Sequence, residues 1–474
     1  MLRVSRIVTA VILARLLAPA DYGLAAMVLV ASSLVIIFSD LALGSALVQR
    51  KTLTEADRST VFWTSLGAGL AFTAAGFLLA GPVAGFYGEP DVKPLFAAFS
   101  VTFVVTALSS TQVALMNREM DFRRLELRQM ASYAIGAVVG IVIAALGFGA
   151  WAIIWQQIAI AVTSTFLLTV LSPWRPQFVY SLASLRDLGS FGARVFGTRL
   201  LFYLNRNVDN ILIGRFLGTS ALGAYALAYN VMLMPFSNIA GPIQQVLFPA
   251  FSRMQEETDR IGAAWIRVNR LVGAISIPAL TGLAIVAADF VPVVLGDRWS
   301  AATPVIQILC WVGLLQSLQR LNSAILEARN RTGTLLWYSV VVVVASLIAF
   351  VGGLHWGIVG VAAAYAISST VVEPYYTWLT GRAIGLTVWE FVAGFRGILE
   401  ATVAMGAGVL ALRLALVSAG VPELPRLLLC IVAGGAIYLP LCAWRSPELV
   451  DELRRLRPRR RRVAAVAIPR PSEP

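Results

Sequence analysis

The chain has 474 residues, 58% of them hydrophobic and only 13% charged, with a formal net charge of +13. Soluble domains carry about 25% charged residues, so this composition excludes a water-soluble globular protein. The basic residues are spread over alternate loops and form no single patch, which excludes a nucleic-acid partner.

Apolar blocks of ~20 residues, the length that crosses a bilayer as helix, recur along the whole chain. The ~10-residue alternating segments of a membrane barrel are absent. The expected fold class is therefore an all-α polytopic membrane protein. We read fourteen transmembrane helices, with cores near 4–18, 22–46, 60–87, 94–116, 130–147, 151–171, 188–214, 222–249, 268–290, 301–323, 335–353, 357–380, 396–418 and 425–444. The first is shorter than a crossing helix needs, so the expectation is a first helix truncated at its start.

A ten-residue pattern occurs twice between apolar blocks. Ala14–Gly23 reads ARLLAPADYG and Gly214–Gly223 reads GRFLGTSALG, with Arg, Leu and the closing Gly in register. A second echo joins Leu146–Ala152 (LGFGAWA) to Leu354–Gly360 (LHWGIVG). Duplication in an apolar chain points to a carrier built from repeats around a central site. The expected division is an N-terminal six-helix bundle over 1–185 and a C-terminal six-helix bundle over 186–380. Two additional helices over 381–445 and a basic tail over 446–474 complete it. GxxxG spacings at Gly81–Gly85, Gly136–Gly140 and Gly353–Gly357 are expected to let helices pack closely.

Charge orients the chain. With the N-terminus cytoplasmic, the loops on that side carry Arg50, Lys51 and Arg58, then Arg118, Arg123, Arg124 and Arg128, and so on to the arginine-rich tail. The opposite loops offer only Arg15, Lys93, Arg215, Arg298, Arg413 and Arg426. The positive-inside rule places both termini in the cytoplasm. Loops on the far side are short, and no Walker, DxD, HExxH or GxSxG motif occurs. A catalytic site is therefore not expected. Neither is a metal: His355 is the one histidine, and Cys310, Cys430 and Cys442 sit in apolar blocks as small hydrophobes.

Longer motifs carry a family resemblance. SALVQRKTLTEADRSTVFW (Ser45–Trp63) follows the first repeat; NRNVDNILIGRFLG (Asn205–Gly218) and GAYALAYNVMLMPFSNIAGPIQQVLFPAFSRMQEE (Gly223–Glu257) span the second. Together they resemble the WzxC-type lipopolysaccharide and exopolysaccharide flippases. Those belong to a superfamily that includes multidrug extruders and the lipid II flippase. The resemblance covers roughly 12–385. It implies two six-helix bundles plus two helices, a cavity opening alternately to each side of the inner membrane, and export of undecaprenyl-pyrophosphate-linked oligosaccharide for surface polysaccharide. It implies no cofactor beyond H+ or Na+ coupling, and a polysaccharide polymerase with its chain-length machinery as partners. A cation-coupled multidrug antiporter of the same superfamily is the alternative; its cavity would favour acids over arginines.

Ionisable groups inside a span cost ~2.5–3.5 kcal/mol on insertion scales and usually face a cavity or a partner. In the seventh span Arg199, Tyr203, Arg206 and Asn210 share a helical face, and Asp209 lies one turn from Arg206. Arginine forks suit phosphate oxygens and tyrosine suits sugar, so this stripe is a candidate cavity lining; mutual neutralisation between packed helices is the other reading. In the tenth span Gln316 and Arg320 share a face with Ser323 and Glu327 and are further cavity candidates, with a solvated mouth at the cytoplasmic end as the other reading. The eighth contributes Asn238 and Gln245 beside Pro235 and Pro242, whose missing hydrogen bonds bend the span. Asp40 and Glu373, lone acids in apolar runs, are candidates for ion coupling, with pairing or a headgroup position as the alternative. The segment 446–462 reads as an interfacial helix on anionic membrane lipids or as a plain retention signal.

Overall fold

The computed structural model describes residues 2–39, 44, 47–48, 50, 52–237, 258–319 and 321–449, of which 2–4, 34–39, 186–202, 204–205, 235–237, 258–259 and 332 are described by their backbone alone. Asp40, Asn238, Gln245, Arg320 and nearly all of the basic tail fall outside the described residues. Arg199 lies on a described helix, but its side chain is outside them.

Every regular element described is helical. The helices are α1 (Leu2–Leu16), α2 (Pro19–Ser39), α3 (Glu55–Tyr87), α4 (Val92–Arg118), α5 (Phe122–Ala145), α6 (Trp151–Leu171), α7 (Leu182–Ser237), α8 (Thr258–Phe290), α9 (Ala302–Ser317), α10 (Asn322–Ala328), α11 (Thr332–Gly353), α12 (Gly357–Ile384), α13 (Val388–Ala393), α14 (Arg396–Ser418) and α15 (Glu423–Arg445). α7 is two arms joined at Gly218, whose φ of 85° and ψ of −176° break the helix. A side chain would be strained there, and glycine is not. Among the described residues ten helical stretches are long and apolar enough to cross a membrane, one of them the α11–α12 hairpin. The protein is thus a multi-pass helical membrane protein.

The packing repeats as the sequence does. In the first half α3 packs on α4, α5 on α6, α4 on α6, α1 on α5 and α2 on α4. In the second half α8 packs on α9, α11 on α12, α9 on α12, and α7 on both α11 and α9. α14 and α15 pair with each other and lean on α8. A buried ion triad fixes them: the Asp289 carboxylate, wholly enclosed, accepts from Arg413 Nε on α14 and from Arg426 Nε on α15, the latter at 2.7 Å.

The duplicated motif forms the contact between the halves. α2 and the second arm of α7 lie against each other with Gly23 and Gly223 at the crossing. A Cβ on Gly23 would sit 1.8 Å from the Thr219 carbonyl oxygen, and one on Gly223 would sit 1.9 Å from that of Pro19. Pro19 and Thr219 each stand four residues before their own glycine, so the two contacts are mirror copies. Around them Trp299, fully buried, donates from Nε1 to Ala14 O (2.7 Å) and meets Tyr22 edge-on at 5.1 Å. Arg15 donates from Nε to Val294 O (3.1 Å) and from its terminal nitrogen to Val293 O. The halves are therefore closed against each other at the end where α1 finishes.

Two expectations need correction. The tenth span crosses as one stretch, Ala302–Ala328, but in two helical pieces: α9 stops at Ser317 and α10 begins at Asn322. The buried Asn322 amide donates to Gln319 Oε1, and its Oδ1 accepts from Trp265 Nε1 (3.0 Å), so side-chain bonds hold the break. Of the GxxxG pairs, Gly136 and Gly140 do seat α5 on α6, since added Cβ atoms would meet Ile160 Cγ1 at 2.4 Å and Gln156 Cβ at 3.0 Å. Gly81 and Gly85 face nothing within 4 Å. The cysteines are buried and unpaired.

Candidate functional site

α7, α9, α10, α11 and α12 surround a cavity of about 510 Å³ in the second half. Two helices present polar stripes to it at α-helical spacing: Tyr338, Ser339 and Ser346 on α11, and Tyr365, Ser368, Ser369, Glu373 and Tyr376 on α12. Gln316 and Gln319 approach from α9 and its break, Ser323 from α10, and Arg206 and Tyr229 from the two arms of α7.

Hydrogen bonds hold the lining in place. Gln316 Nε2 donates to Tyr365 Oη (2.7 Å), and Tyr338 Oη donates to Glu373 Oε2 (3.3 Å). Gln319 Nε2 donates to Thr377 Oγ1 (2.8 Å). Tyr338 and Tyr376 stack at 3.8 Å with an interplanar angle of 10°. Phenol faces and hydroxyls together offer flat apolar surface and dense hydrogen bonding, the combination that sugar rings need. Arg206 is solvent-exposed and, among the described residues, has no carboxylate within ion-pair distance. Its guanidinium brings a full positive charge to a wall otherwise neutral but for Glu373.

The seventh-span stripe is divided between two surroundings. Arg206 faces the cavity. Tyr203 is buried against α2, where its hydroxyl donates to Val30 O (2.8 Å). Asp209 is buried and accepts from Tyr225 Oη (3.1 Å). Asn210 is half-buried beside it, its backbone N–H donating to Asp209 Oδ1 (2.7 Å). Gln316 and Glu373 both line the cavity. The tyrosines and serines of α11 and α12 were missed by the sequence reading, although the i, i+3, i+4 spacing of Tyr365, Ser368 and Ser369 in apolar α12 was a usable signal.

Beside this cavity lies an apolar one of about 580 Å³, bounded by α7, α8, α14 and α15. Ile275, Pro278, Leu283 and Phe290 of α8 face Met405 of α14 and Ile431 of α15 across it.

Comparison with known proteins agrees with this architecture. The family described as polysaccharide biosynthesis protein matches residues 12–304. The lipopolysaccharide biosynthesis protein WzxC of Escherichia coli (strain K12) is 31% identical over 359 residues, 75% of this chain and 73% of that protein. The teichuronic acid biosynthesis protein TuaB of Bacillus subtilis (strain 168) is 27% identical over 419 residues, 88% of this chain and 87% of that one. The solved structure of the lipid II flippase MurJ in an inward closed conformation shares the fold, with a TM-score of 0.77 at 16% identity over 95% of this chain and 98% of that one. The repeated arginine–glycine motif, the fold and these matches agree, and the chain belongs to the polysaccharide biosynthesis protein family.

Proposed function

We propose that the protein is a flippase that carries lipid-linked oligosaccharide repeat units across the inner membrane for surface polysaccharide biosynthesis. The observation that carries this reading is the tyrosine- and serine-lined cavity of about 510 Å³ with Arg206 in its wall. A glycan would lie against the phenols, and Arg206 would fork its donors onto pyrophosphate oxygens. The apolar cavity of about 580 Å³ beside it suits a polyprenyl chain. The work is transport without covalent chemistry. The two halves separate at the Gly23–Gly223 crossing and close at the other end, as alternating access requires. Both termini face the cytoplasm, where the positive charge of the basic tail favours anionic lipid. Glu373, bonded to Tyr338, takes up H+ or Na+ to drive export. A polymerase with its chain-length machinery receives the product.

The test is Arg206→Gln, alone and combined with Arg199→Gln. Membrane levels should stay normal, polysaccharide export should stop, and the lipid-linked repeat should accumulate on the cytoplasmic side. Tyr203→Phe, which loses only the bond to Val30 O, should lower the melting temperature while export continues. Wild-type export from the double arginine variant would sink the reading.

A further inference from the structure

α1, α5 and α6, with Tyr22 of α2, line a second, smaller cavity of about 190 Å³ in the first half. Its polar side chains are Ser5, Arg6, Thr9, Tyr22, Tyr133, Gln156 and Gln157, with Tyr22 Oη already donating to Ala10 O (3.3 Å), and the rest of the wall is apolar. The duplication relates it to the larger cavity. Arg6 precedes Arg15 by the same nine residues that separate Arg206 from Arg215. Gln157 follows Gly149 by the same eight residues that separate Tyr365 from Gly357, and both glycines take left-handed φ values, 53° and 67°. Arg206 and Tyr365 line the large cavity; Arg6 and Gln157 line the small one. The two halves thus hold equivalent cavities whose walls have diverged.

The small wall has unspent hydrogen-bonding capacity. The Arg6 guanidinium lies 3.9 Å from the Tyr133 ring centroid. Stacking engages its flat face and leaves the in-plane N–H donors for a carboxylate. Among the described residues Arg6 has no ion-pair partner, and the Gln156 and Gln157 amides have no protein hydrogen bond. Thr9 Oγ1 donates to Ser5 O (2.9 Å), and its lone pairs remain available. No lining residue is acidic. One cation among several neutral donors and acceptors suits a monoanion rich in hydroxyls. A pyrophosphate would call for more positive charge in so small a space. The volume has room for one pyranose ring and little more.

We propose that the α1–α5–α6 cavity is a binding site for a single anionic sugar unit, of which a hexuronate is the simplest. Arg6 takes the carboxylate, and Gln156 and Gln157 take the ring hydroxyls. The assignment rests on the reading of the chain as an oligosaccharide carrier, and it makes the first half the one that reads the charge of the glycan.

Saturation-transfer NMR on the full-length protein in detergent tests it, with sodium glucuronate as the probe. Transfer to the sugar protons is expected. Arg6→Gln should weaken apparent affinity about tenfold or more, the order expected when a charge-assisted hydrogen bond is lost. Gln157→Leu should weaken it without touching the charge, and Arg206→Gln should leave it intact. Glucose, lacking the carboxylate, should bind as weakly to wild type as glucuronate does to Arg6→Gln. Unchanged melting temperatures identify the variants as folded. Absence of transfer in the wild type overturns the proposal, as does a loss that follows Arg206 and spares Arg6. So does displacement of glucuronate by inorganic pyrophosphate at lower concentration, which would make the cavity a phosphate site. Glucuronate binding through Arg6 in a protein that exports no oligosaccharide in cells would instead sink the carrier reading alone.

Discussion

Adding one methyl group at the crossing of the two halves should open the protein at that end. In Gly23→Ala the new Cβ would start 1.8 Å from the Thr219 carbonyl oxygen. A carbon–oxygen contact settles at about 3.3–3.6 Å, so the backbones must part by about 1.5 Å. Overpacking of this kind costs roughly 1–3 kcal/mol, and here it is charged only to the closed state. Gly23 lies inside α2, where alanine is favoured over glycine by about 0.5–1 kcal/mol in either state. The helix is therefore not weakened, and the cost becomes a shift of about 5–150-fold from closed to open. Gly223→Ala, facing Pro19 O at 1.9 Å, should act alike. The double variant should add less than the sum, because one separation relieves both clashes. The assay is labelling of Ser346→Cys, in the cavity lining, by a membrane-impermeant maleimide in a background without Cys310, Cys430 and Cys442. Intact cells and inverted vesicles present the two sides separately. Labelling should rise from the side where the halves touch, and Gly81→Ala, with nothing within 4 Å, should leave it unchanged. Unaltered labelling in both glycine variants would refute the assignment of the duplicated motif as the closing contact.

Two further outcomes are expected. Asp289→Asn leaves Arg413 and Arg426 facing a neutral buried group, and loss of one partner of a buried pair costs about 3–5 kcal/mol; thermal melting in detergent should show a large drop, and a wild-type melting temperature would show that the triad holds nothing together. Topology reporters fused at Gly88 and at the C-terminus should report opposite sides of the membrane, and the same side for both would overturn the orientation read from the arginines.

The helical class and the duplication were legible in the sequence because both are written in spacing. Apolar block length marks the helices as membrane-crossing, ten such stretches among the described residues against fourteen read, and the arginine-to-glycine interval marks the crossing of α2 with α7. The cavity wall was legible only in part. Gln316, Arg206 and Glu373 stood out as polar groups inside spans, and they line it. Tyr203 and Asp209 stood out on the same grounds and do not. Residues on one face of α7 meet different neighbours as the helix passes from α2 to the cavity, and spacing alone carries no record of those neighbours. Arg6 went unread because it sits in the short opening block, yet the register that matched Arg15 to Arg215 also matches Arg6 to Arg206. At the break after Ser317, Asn322 accepts from Trp265, a long-range bond with no local signature.

The Asp289 triad has a consequence for motion. It ties α14 and α15 to α8 beside the apolar cavity, every wall of which comes from α7, α8, α14 or α15. None of that lining comes from α1 to α6. Under the alternating access proposed above, this greasy cavity would travel as cargo space bolted to one half when the two part at the glycine crossing. A hydrocarbon chain lodged there need not be released while a polar head passes between the halves, so the two ends of one molecule could cross on separate schedules.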